Sequence, residues 1–273
     1  MSALLRADCG KIRAMFRRIA YRLKRHQFLF EELVKRDFKK KYKGTMLGMG
    51  WSLLSPLLTL LVMKVVFTQF FGRDAPHYTT YLFAGILVFG FFTESTKGGM
   101  TALVGNAGIF TKVNVPKYLF LLAKNVQTLL NFALTMVVFF VFCVIDDIQF
   151  SWRFLLLAYP VFTLTLFNLG LGLVLSALFV FFRDMRYLWS VVTRLVMYGS
   201  ALFYTTDKFP ASMQTVFRCN PVYDHIAFMR KIVIGNVVPD AWEFGLLALF
   251  ALAALTVGGF LYKRFNTEFL YYV

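Results

Sequence analysis

The residues best placed to do chemistry are the charged side chains that interrupt long apolar runs. Lys64, Glu94, Lys97 and Arg194 lie inside or beside such runs. A charge near the bilayer midplane costs about 3 kcal/mol, so it is kept for a function or is paired with a partner. Lys64 therefore snorkels, pairs inside a helix bundle or serves transport. Glu94 and Lys97 have the three-residue spacing of an intrahelical ion pair.

Patterns of enzyme chemistry are absent from the sequence. The three histidines lie in different regions, and no HExxH, GxSxG or GxxxxGK[ST] motif occurs. The three cysteines are far apart and lack metal-ligand or redox spacing. Asp146 and Asp147 fit a solvated turn. We therefore expect no catalytic residue, no metal site and no cofactor bound by this chain. Because the runs hold almost no Asp or Glu, a proton-coupled transporter is also disfavoured.

The elements that carry these residues are membrane-spanning helices. The 273 residues are 59% hydrophobic and 16% charged, with a mean hydropathy of +0.63, which is too apolar for a soluble domain. Six runs approach the ~20 residues that span a bilayer as a helix, and without strict alternation they do not suggest a β-barrel. In the second run the purely apolar stretch ends at Phe92. The runs cover residues 51–71, 78–96, 126–145, 155–182, 187–204 and 244–262.

The distribution of Lys and Arg predicts the orientation. Fourteen of them lie in the first 43 residues. With six spans and the amino terminus inside, 21 lie on the cytoplasmic side and 6 outside, as the positive-inside rule requires. We therefore expect a multi-pass protein of the cytoplasmic (inner) membrane of a bacterium, with both ends in the cytoplasm. The net charge of +16 reflects topology and contact with anionic lipid rather than nucleic-acid binding.

The chain divides into a cytoplasmic amphipathic region at residues 1–47 and a six-span domain at residues 48–273. Residues 11–25 predict a basic amphipathic helix that lies in the membrane interface. A second helix follows, in which a stripe of apolar residues has basic residues on its other faces. Its role is either to anchor the chain or to move during gating, and we expect its apolar stripe to face lipid or the first span. The stripe, at a spacing of four, is Phe30, Val34, Phe38 and Tyr42, with Leu33 beside it.

Two connecting segments are long enough to have structure of their own. Residues 98–118, between the second and third spans, predict a short cytoplasmic helix and a turn at Pro116. Residues 205–242 lie outside and predict two short apolar helices at 209–217 and 221–234, each starting near a proline. Apolar helices in such a place usually re-enter the membrane or close over a cavity.

Several motifs resemble the permease subunits of ABC-2 type polysaccharide exporters. The sequence RDFKKKYK at residues 36–43, then Leu47 and Gly48 and WSLLSP at residues 51–56, resembles the entry signature of that family. Arg183 and Asp184 resemble its loop between spans four and five. The family's cytoplasmic coupling segment is resembled by a group of five residues, Asn106, Ile109, Lys112, Val113 and Pro116. Its outside re-entrant motif is resembled by Asn220 and Pro221. In this sequence Lys117 follows Pro116 where many relatives have arginine, and the first 25 residues have no clear counterpart.

The resemblance implies an all-α membrane fold with six transmembrane helices and an exporter of lipid-linked glycans such as O-antigens, capsules or teichoic acids. It implies two permease chains, a second copy of this one included, and two copies of a separate ATPase that holds ATP and Mg. The ATPase-coupling residues would be Asn106, Ile109, Phe110, Lys112 and Pro116. The interface or gate helix would use Phe30, Val34, Arg36, Phe38, Lys39, Lys40 and Tyr42, and the re-entrant region Asn220 and Pro221.

Alternative functions are an ABC-2 permease for a drug, haem or lipid, a membrane glycosyltransferase or acyltransferase, and a structural scaffold.

The free energy of moving a lipid tail out of the bilayer limits how an exporter of lipid-linked glycans works. A polyprenyl tail gains about 0.8 kcal/mol per buried CH₂, so the tail stays in the bilayer while the glycan passes. Such a pore needs a lateral opening.

Overall fold

The computed structural model describes residues 26–48, 50–71, 77–113, 115–206 and 209–272. The interface helix expected at residues 11–25 lies outside the described residues. Within the described ranges every regular element is a helix, which confirms the prediction of an all-α fold.

The α-helices follow the order of the predicted runs. Two short 3₁₀ helices, Val104–Asn106 and Trp152–Leu157, precede α4 and α6 respectively. The α-helices are α1 (Gln27–Tyr42), α2 (Gly50–Phe71), α3 (Tyr78–Ala102), α4 (Ala107–Phe110), α5 (Tyr118–Ile145), α6 (Ala158–Phe181), α7 (Met185–Tyr198), α8 (Ala211–Arg218), α9 (Pro221–Val233), α10 (Ala241–Arg264) and α11 (Phe269–Tyr272).

Three helical segments among the described residues are long and apolar enough to cross a membrane. They are Tyr118–Ile145, Trp152–Phe181 and Ala241–Arg264. Gly50–Val66 is apolar but shorter. The number of six spans stays a prediction.

The closest helix pair is α6 with α10, and glycines make it possible. A methyl group added at Gly170 would overlap the backbone of Ala254, and one added at Gly258 would overlap the carbonyl of Gly170. Small residues let helix backbones approach in a membrane, where dispersion contacts replace the hydrophobic effect as the driving force. On its other side α6 packs against α3, which also packs against α5. Helix α3 is therefore the centre of the bundle.

Helix α3 runs to Ala102, six residues beyond the predicted end of the second span. The expected ion pair between Glu94 and Lys97 is not the contact that Glu94 makes. Glu94 binds Lys41 at 2.6 Å, while Lys97 is exposed. Because the carboxylate is neutralised by a residue of α1, the charge does not end the helix.

The fifth predicted span is shorter than the sequence suggested. Helix α7 ends at Tyr198 after 14 residues, where residues 187–204 were expected to be helical and about 20 residues are needed to span. Residues 199–204 are irregular, and Ala201 has a positive φ of 46°. Irregular backbone is tolerated at membrane depth when its polar groups are satisfied by other parts of the protein.

Two short helices occur in residues 205–242, as predicted, while the location of this segment outside the membrane stays a prediction. Helices α8 and α9 begin at Ala211 and Pro221, close to the expected starts. Helix α10 begins with a capping box, in which Asp240 and Glu243 each bind the other's backbone N–H, so two otherwise unpaired donors are satisfied.

Asp146 and Asp147 lie in the expected turn, but the carboxylate of Asp146 is half-buried and bound by α3 rather than solvated. Its Oδ2 accepts hydrogen bonds from the backbone N–H and the hydroxyl of Thr80, at 3.1 and 2.6 Å. This carboxylate therefore accepts hydrogen bonds at the first turn of α3, where negative charge is favourable. The adjacent Asp147 is exposed.

Candidate functional site

A cavity of about 670 Å³ lies between α2, α3 and α5. That volume falls within the roughly 300–1,000 Å³ of ligand-binding sites. Lys41, Tyr42 and Glu94 line one end, and Leu202 and Phe203 of the irregular segment after α7 line the other. The cavity therefore extends from the carboxyl end of the basic helix to the break in the fifth predicted span.

The end formed by α1 holds a network of four polar side chains. Lys41 Nζ lies 2.6 Å from Glu94 Oε1, and Asn131 Nδ2 donates to Glu94 Oε2 at 3.1 Å. The Tyr42 hydroxyl donates to Asn131 Oδ1 at 2.5 Å. The network ties α1 to α3 and α5. Both charged side chains are 32% exposed, so the ion pair contributes about 1 kcal/mol or less to stability.

The wall beyond this network is mostly apolar and includes Pro56, Met63, Phe89 and Phe132. Pro56 lies inside α2. Proline has no N–H, so the carbonyl four residues earlier loses its helical donor. That carbonyl belongs to Ser52. The hydroxyl of Thr135 in α5 lies 3.5 Å from it and has a closer acceptor in the carbonyl of Asn131 at 3.1 Å, so its contact with the Ser52 carbonyl is weak.

The stripe predicted on α1 faces the protein. Leu33 is 3% exposed and belongs to a cluster with Phe110 and Phe120, against which Phe30 and Val34 pack. We expected lipid or the first span at this face, whereas the structure has α5 and the cytoplasmic segment there. Phe38 packs edge-on against the buried Tyr42 at 5.5 Å. Lys39 and Lys40 lie on the exposed face.

The predicted coupling segment is held mainly by the residues expected to contact a partner. Asn106 is buried, donates to the carbonyl of Ala102 at 2.7 Å and accepts from Arg36 Nη2 at 2.7 Å. Phe110 is 5% exposed and lies 6.0 Å from the ring of Phe120. The side chains of Asn106 and Phe110 therefore point into this chain, and their role in coupling to an ATPase stays a prediction. Ile109 and Pro116 are half-buried, and Gly105, Gly108, Thr111, Lys112 and Val113 form the exposed surface.

The hydrogen bond between Arg36 and Asn106 joins two groups of residues that the sequence had separated. Arg36 belongs to the predicted gate helix and Asn106 to the predicted coupling segment, 70 positions later. Sequence patterns marked both residues but gave no sign that they meet.

The carboxyl-terminal residues pack against the coupling segment, a contact that the sequence did not predict. The ammonium of Lys117 donates to the carbonyl of Asn266 and lies 5.6 Å from the ring centre of Phe269. Arg183 Nη2 donates to the carbonyl of Tyr272 at 3.4 Å. Helix α11 therefore contacts both the coupling segment and the loop between α6 and α7. The unusual Lys117 after Pro116 was the available sequence signal.

Asn220 and Pro221 start α9 and attach it to the end of α7. Asn220 Oδ1 accepts from the N–H of Val222 at 3.1 Å, and Pro221 occupies the first turn, the usual arrangement of a capping residue and a helix-starting proline. Asn220 Nδ2 donates to the carbonyl of Gly199 and to the hydroxyl of Ser200, both at 2.9 Å.

Arg230 binds two further carbonyls of the irregular segment and one of α3. Its guanidinium donates to the carbonyls of Tyr81, Ala201 and Leu202 at 2.9–3.1 Å. It lies 3.4 Å from the ring centre of Tyr81 and so close to Gly85 that a Cβ there would be 2.8 Å from Nη2. The sequence showed Arg230 merely as an outside cation, because nothing in a local pattern indicates which carbonyls it meets.

Comparison with known proteins agrees with the fold and the motifs. The ABC-2 type transporter family model matches residues 29–234. The O-antigen export system permease protein RfbA of Myxococcus xanthus is 26% identical over 254 residues, which is 92% of this chain and 98% of that protein. RfbA of Klebsiella pneumoniae is 27% identical over 239 residues, 85% of this chain and 90% of its own. The polysialic acid transport protein KpsM of Escherichia coli is 21% identical over 236 residues, 85% and 92% respectively.

Proposed function

The chain belongs to the ABC-2 type transporter family, and we propose that it exports a lipid-linked polysaccharide across the cytoplasmic membrane as the permease subunit of an ATP-driven complex. Relatives that match at least 85% of its length are named as permeases or transport proteins for O-antigen and polysialic acid. The cargo is therefore a lipid-linked glycan of the O-antigen, capsule or teichoic acid kind.

The observation that carries the proposal is a continuous connection from the coupling segment to the cavity. Asn106 binds Arg36 near the middle of α1, and the same helix ends in Lys41 and Tyr42, which line the cavity. A helix of 16 residues transmits a displacement over such a short distance. Movement of the coupling segment therefore moves the polar end of the cavity.

A separate ATPase, present in two copies and holding ATP and Mg, supplies that movement. Its docking surface is centred on the exposed side chains of Thr111, Lys112 and Val113. Asn106 and Phe110 fix the segment from within, so that force on its surface reaches α1.

A second copy of the chain completes the pathway. Helices α2 and α7 present exposed apolar side chains, among them Leu61, Val65, Val191 and Leu195. These faces meet lipid or the second copy, and the cavity between α2, α3 and α5 lies next to one of them. The lipid tail of the cargo stays in the bilayer, where each CH₂ is worth about 0.8 kcal/mol, while the glycan moves through the protein.

Deletion of the gene in the bacterium that encodes it tests the cargo. We expect surface polysaccharide to disappear and its lipid-linked form to accumulate on the cytoplasmic side, with recovery when the parent gene is returned. Unchanged surface polysaccharide would show that the permease carries another cargo, such as a drug, haem or lipid.

A further inference from the structure

Helix α9 carries a buried carboxyl group, that of Asp224. This residue is 7% exposed, and its Oδ2 has no hydrogen-bond partner among the described residues. An ionised carboxylate removed from water is costly unless hydrogen bonds or an opposite charge replace the lost solvation. Asp224 therefore either holds a proton or binds a partner that this conformation does not provide.

The side chain of Asp224 lines a small pocket between α8, α9 and α10. The pocket measures about 40 Å³, and one water needs roughly 10–15 Å³. A few waters or the head of one side chain therefore fit, whereas a sugar ring does not. The charged lining consists of Asp224, Glu243 and Arg218, beside apolar side chains such as Phe228 and Leu247.

Glu243 is already paired, so Asp224 and Arg218 are the charges left to balance each other. Glu243 Oε2 lies 2.9 Å from Lys231 Nζ and accepts from the backbone N–H of Asp240 at 2.8 Å. The other titratable side chains around α9 are engaged elsewhere: His225 with Thr163 and Pro221, Tyr223 with Thr206, Arg230 with Tyr81, Tyr78 with the carbonyl of Phe203, Tyr159 with that of Phe244, Arg153 with that of Asn236, and Cys219 with that of Thr215.

The surroundings of Asp224 let it change its charge near neutral pH. Burial raises the pKa of its carboxyl to about 7, an effect that Arg218 opposes and Glu243 reinforces. In water the pKa of aspartic acid is about 3.9. Asp224 is therefore mostly protonated in mildly acidic solution and mostly ionised in mildly alkaline solution.

Arg218 has a weak contact that it can exchange for Asp224. It is exposed at the carboxyl end of α8, and its guanidinium carbon lies 4.6 Å from the ring centre of Trp242 in α10. Cation–π contacts at exposed sites are weak, whereas a hydrogen bond between guanidinium and carboxylate is among the stronger ones. Ionisation of Asp224 therefore favours movement of Arg218 from the indole into the pocket.

We propose that Asp224 and Arg218 form a proton-operated latch that joins α8, α9 and α10. While Asp224 is protonated, Arg218 stays on Trp242. When the proton leaves for the surrounding solution, the guanidinium enters the pocket and binds the carboxylate. The latch goes beyond the proposed function, and its operation needs neither cargo nor an ATPase.

The latch acts on the segment that ends the cavity between α2, α3 and α5. The ring of Phe217, next to Arg218, lies 6.1 Å from that of Tyr204 and 5.6 Å from that of Tyr223. Tyr204 directly follows Phe203, which lines the cavity. Movement of Arg218 into the pocket shifts α8 against these rings, so this end of the cavity differs between the two states.

A fluorine label on Cys219, the neighbour of Arg218, reports the state of the latch. After Cys9→Ser the exposed Cys219 is converted to a trifluoroethyl disulfide, while Cys143 is buried. The ¹⁹F NMR signal of the purified chain in phosphatidylcholine nanodiscs should shift between two positions with a midpoint near pH 7. Asp224→Asn cannot ionise and should keep the acid position at every pH. Asp147→Asn is the control, because Asp147 is exposed and its positive φ of 56° suits asparagine.

Variants of Arg218 separate the latch from a carboxyl group that merely titrates. Arg218→Gln should lose most of the shift, and Arg218→Lys, which keeps a cation, should retain it. A parental titration in Asp224→Asn or in Arg218→Gln would overturn the latch, as would a parent signal that is constant with pH. Because Arg218 is exposed, its two variants decide the matter even if Asp224→Asn does not fold.

Thermal unfolding gives a second readout with a definite sign. The folded protein binds the Asp224 proton more tightly than the unfolded chain does, so this group makes the parent lose stability as the pH rises from about 4 to about 7. Asp224→Asn lacks that loss, so its Tm should rise relative to that of the parent over this range. A Tm difference that does not change with pH would show that the carboxyl holds no proton, and the proposal would be wrong.

Discussion

At the scale of single residues, Arg230 determines the end of the cavity that is lined by Leu202 and Phe203. It is 8% exposed and bonds three backbone carbonyls, two of which belong to the irregular residues after α7. Those residues precede Phe203, which lines the cavity. A planar guanidinium has five N–H donors in fixed directions, so one side chain can hold several carbonyls at once.

Arg230→Lys should therefore destabilise the protein although the charge is kept. An ammonium on a flexible stem cannot satisfy all three carbonyls, and losing hydrogen bonds to a buried charged group should cost roughly 2–3 kcal/mol. Thermal unfolding in detergent measures the loss. Arg218→Lys is the matched control, since Arg218 is exposed and stacks on Trp242. Equal changes in Tm for the two variants would contradict the role of Arg230.

We expect the exposed cations Lys39 and Lys40 to gather cargo at the surface of α1. An anionic surface attracts each such cation by about 1 kcal/mol, and the phosphates of the proposed lipid-linked cargo would lie at the same depth. Reversing both charges to Glu should leave membrane insertion normal and reduce cargo-stimulated ATP hydrolysis in proteoliposomes with the partner ATPase.

The control for that experiment reverses two other exposed cations, Lys263 and Arg264, at the end of α10. A general need for positive charge would affect both double variants equally. If the Lys39 and Lys40 variant inserts and is stimulated like the parent, these lysines do not gather cargo. Reduced insertion would instead favour the anchoring role of α1.

At the scale of elements, the contact between α6 and α10 depends on glycine. Gly258→Ala puts a methyl group against the carbonyl of Gly170, so the helices must separate, and overpacking of this kind costs about 1–3 kcal/mol. Gly259→Ala is next in the chain but has no atom within 4 Å of the added carbon. We expect a lower Tm for the first variant and an unchanged or higher one for the second, because alanine favours a helix. The reverse order would exclude this packing.

The coupling segment gives a second prediction for an element. Phe110→Ala removes a buried ring from the cluster that contains Leu33 and Phe120 and should cost about 3–5 kcal/mol of stability. Val113→Asp changes an exposed residue, so it should leave Tm unchanged while it weakens binding of the partner ATPase, measured by co-purification. Co-purification of the Val113 variant at parental levels would place the docking surface elsewhere.

The sequence predicted individual helices better than it predicted the contacts between distant residues. The stripe on α1, both outside helices and the start at Asn220 and Pro221 follow from local spacing and capping, which depend on neighbours in the chain. The partner of Glu94 is 53 positions away. The end of α7 was missed for the same reason, because hydropathy continues through Leu202 and Phe203 while the donors for their carbonyls come from Tyr78 and Arg230.

At the scale of the whole molecule, the polar contacts between distant segments divide the bundle into two ends. Arg36 with Asn106 and Lys117 with Asn266 belong to one end. Thr80 with Asp146 and Ser151 with Asn236 belong to the other. Helix α1 and the carboxyl-terminal helix α11 therefore lie on the same side of the bundle, which agrees with an even number of crossings. The charge distribution predicts that this side faces the cytoplasm.

Cysteine labelling in intact cells tests this orientation with a native residue. Cys219, at the end of α8, is exposed and Cys143 is buried, so after Cys9→Ser a membrane-impermeant maleimide should label the chain through Cys219 from outside. A second variant replaces Cys9 and Cys219 by serine and carries Thr267→Cys at an exposed position before α11. It should react only after the cells are permeabilised. Labelling of Thr267→Cys in sealed cells would put the carboxyl terminus outside, and the 21 cations assigned to the cytoplasm would then lie on the side that the positive-inside rule disfavours.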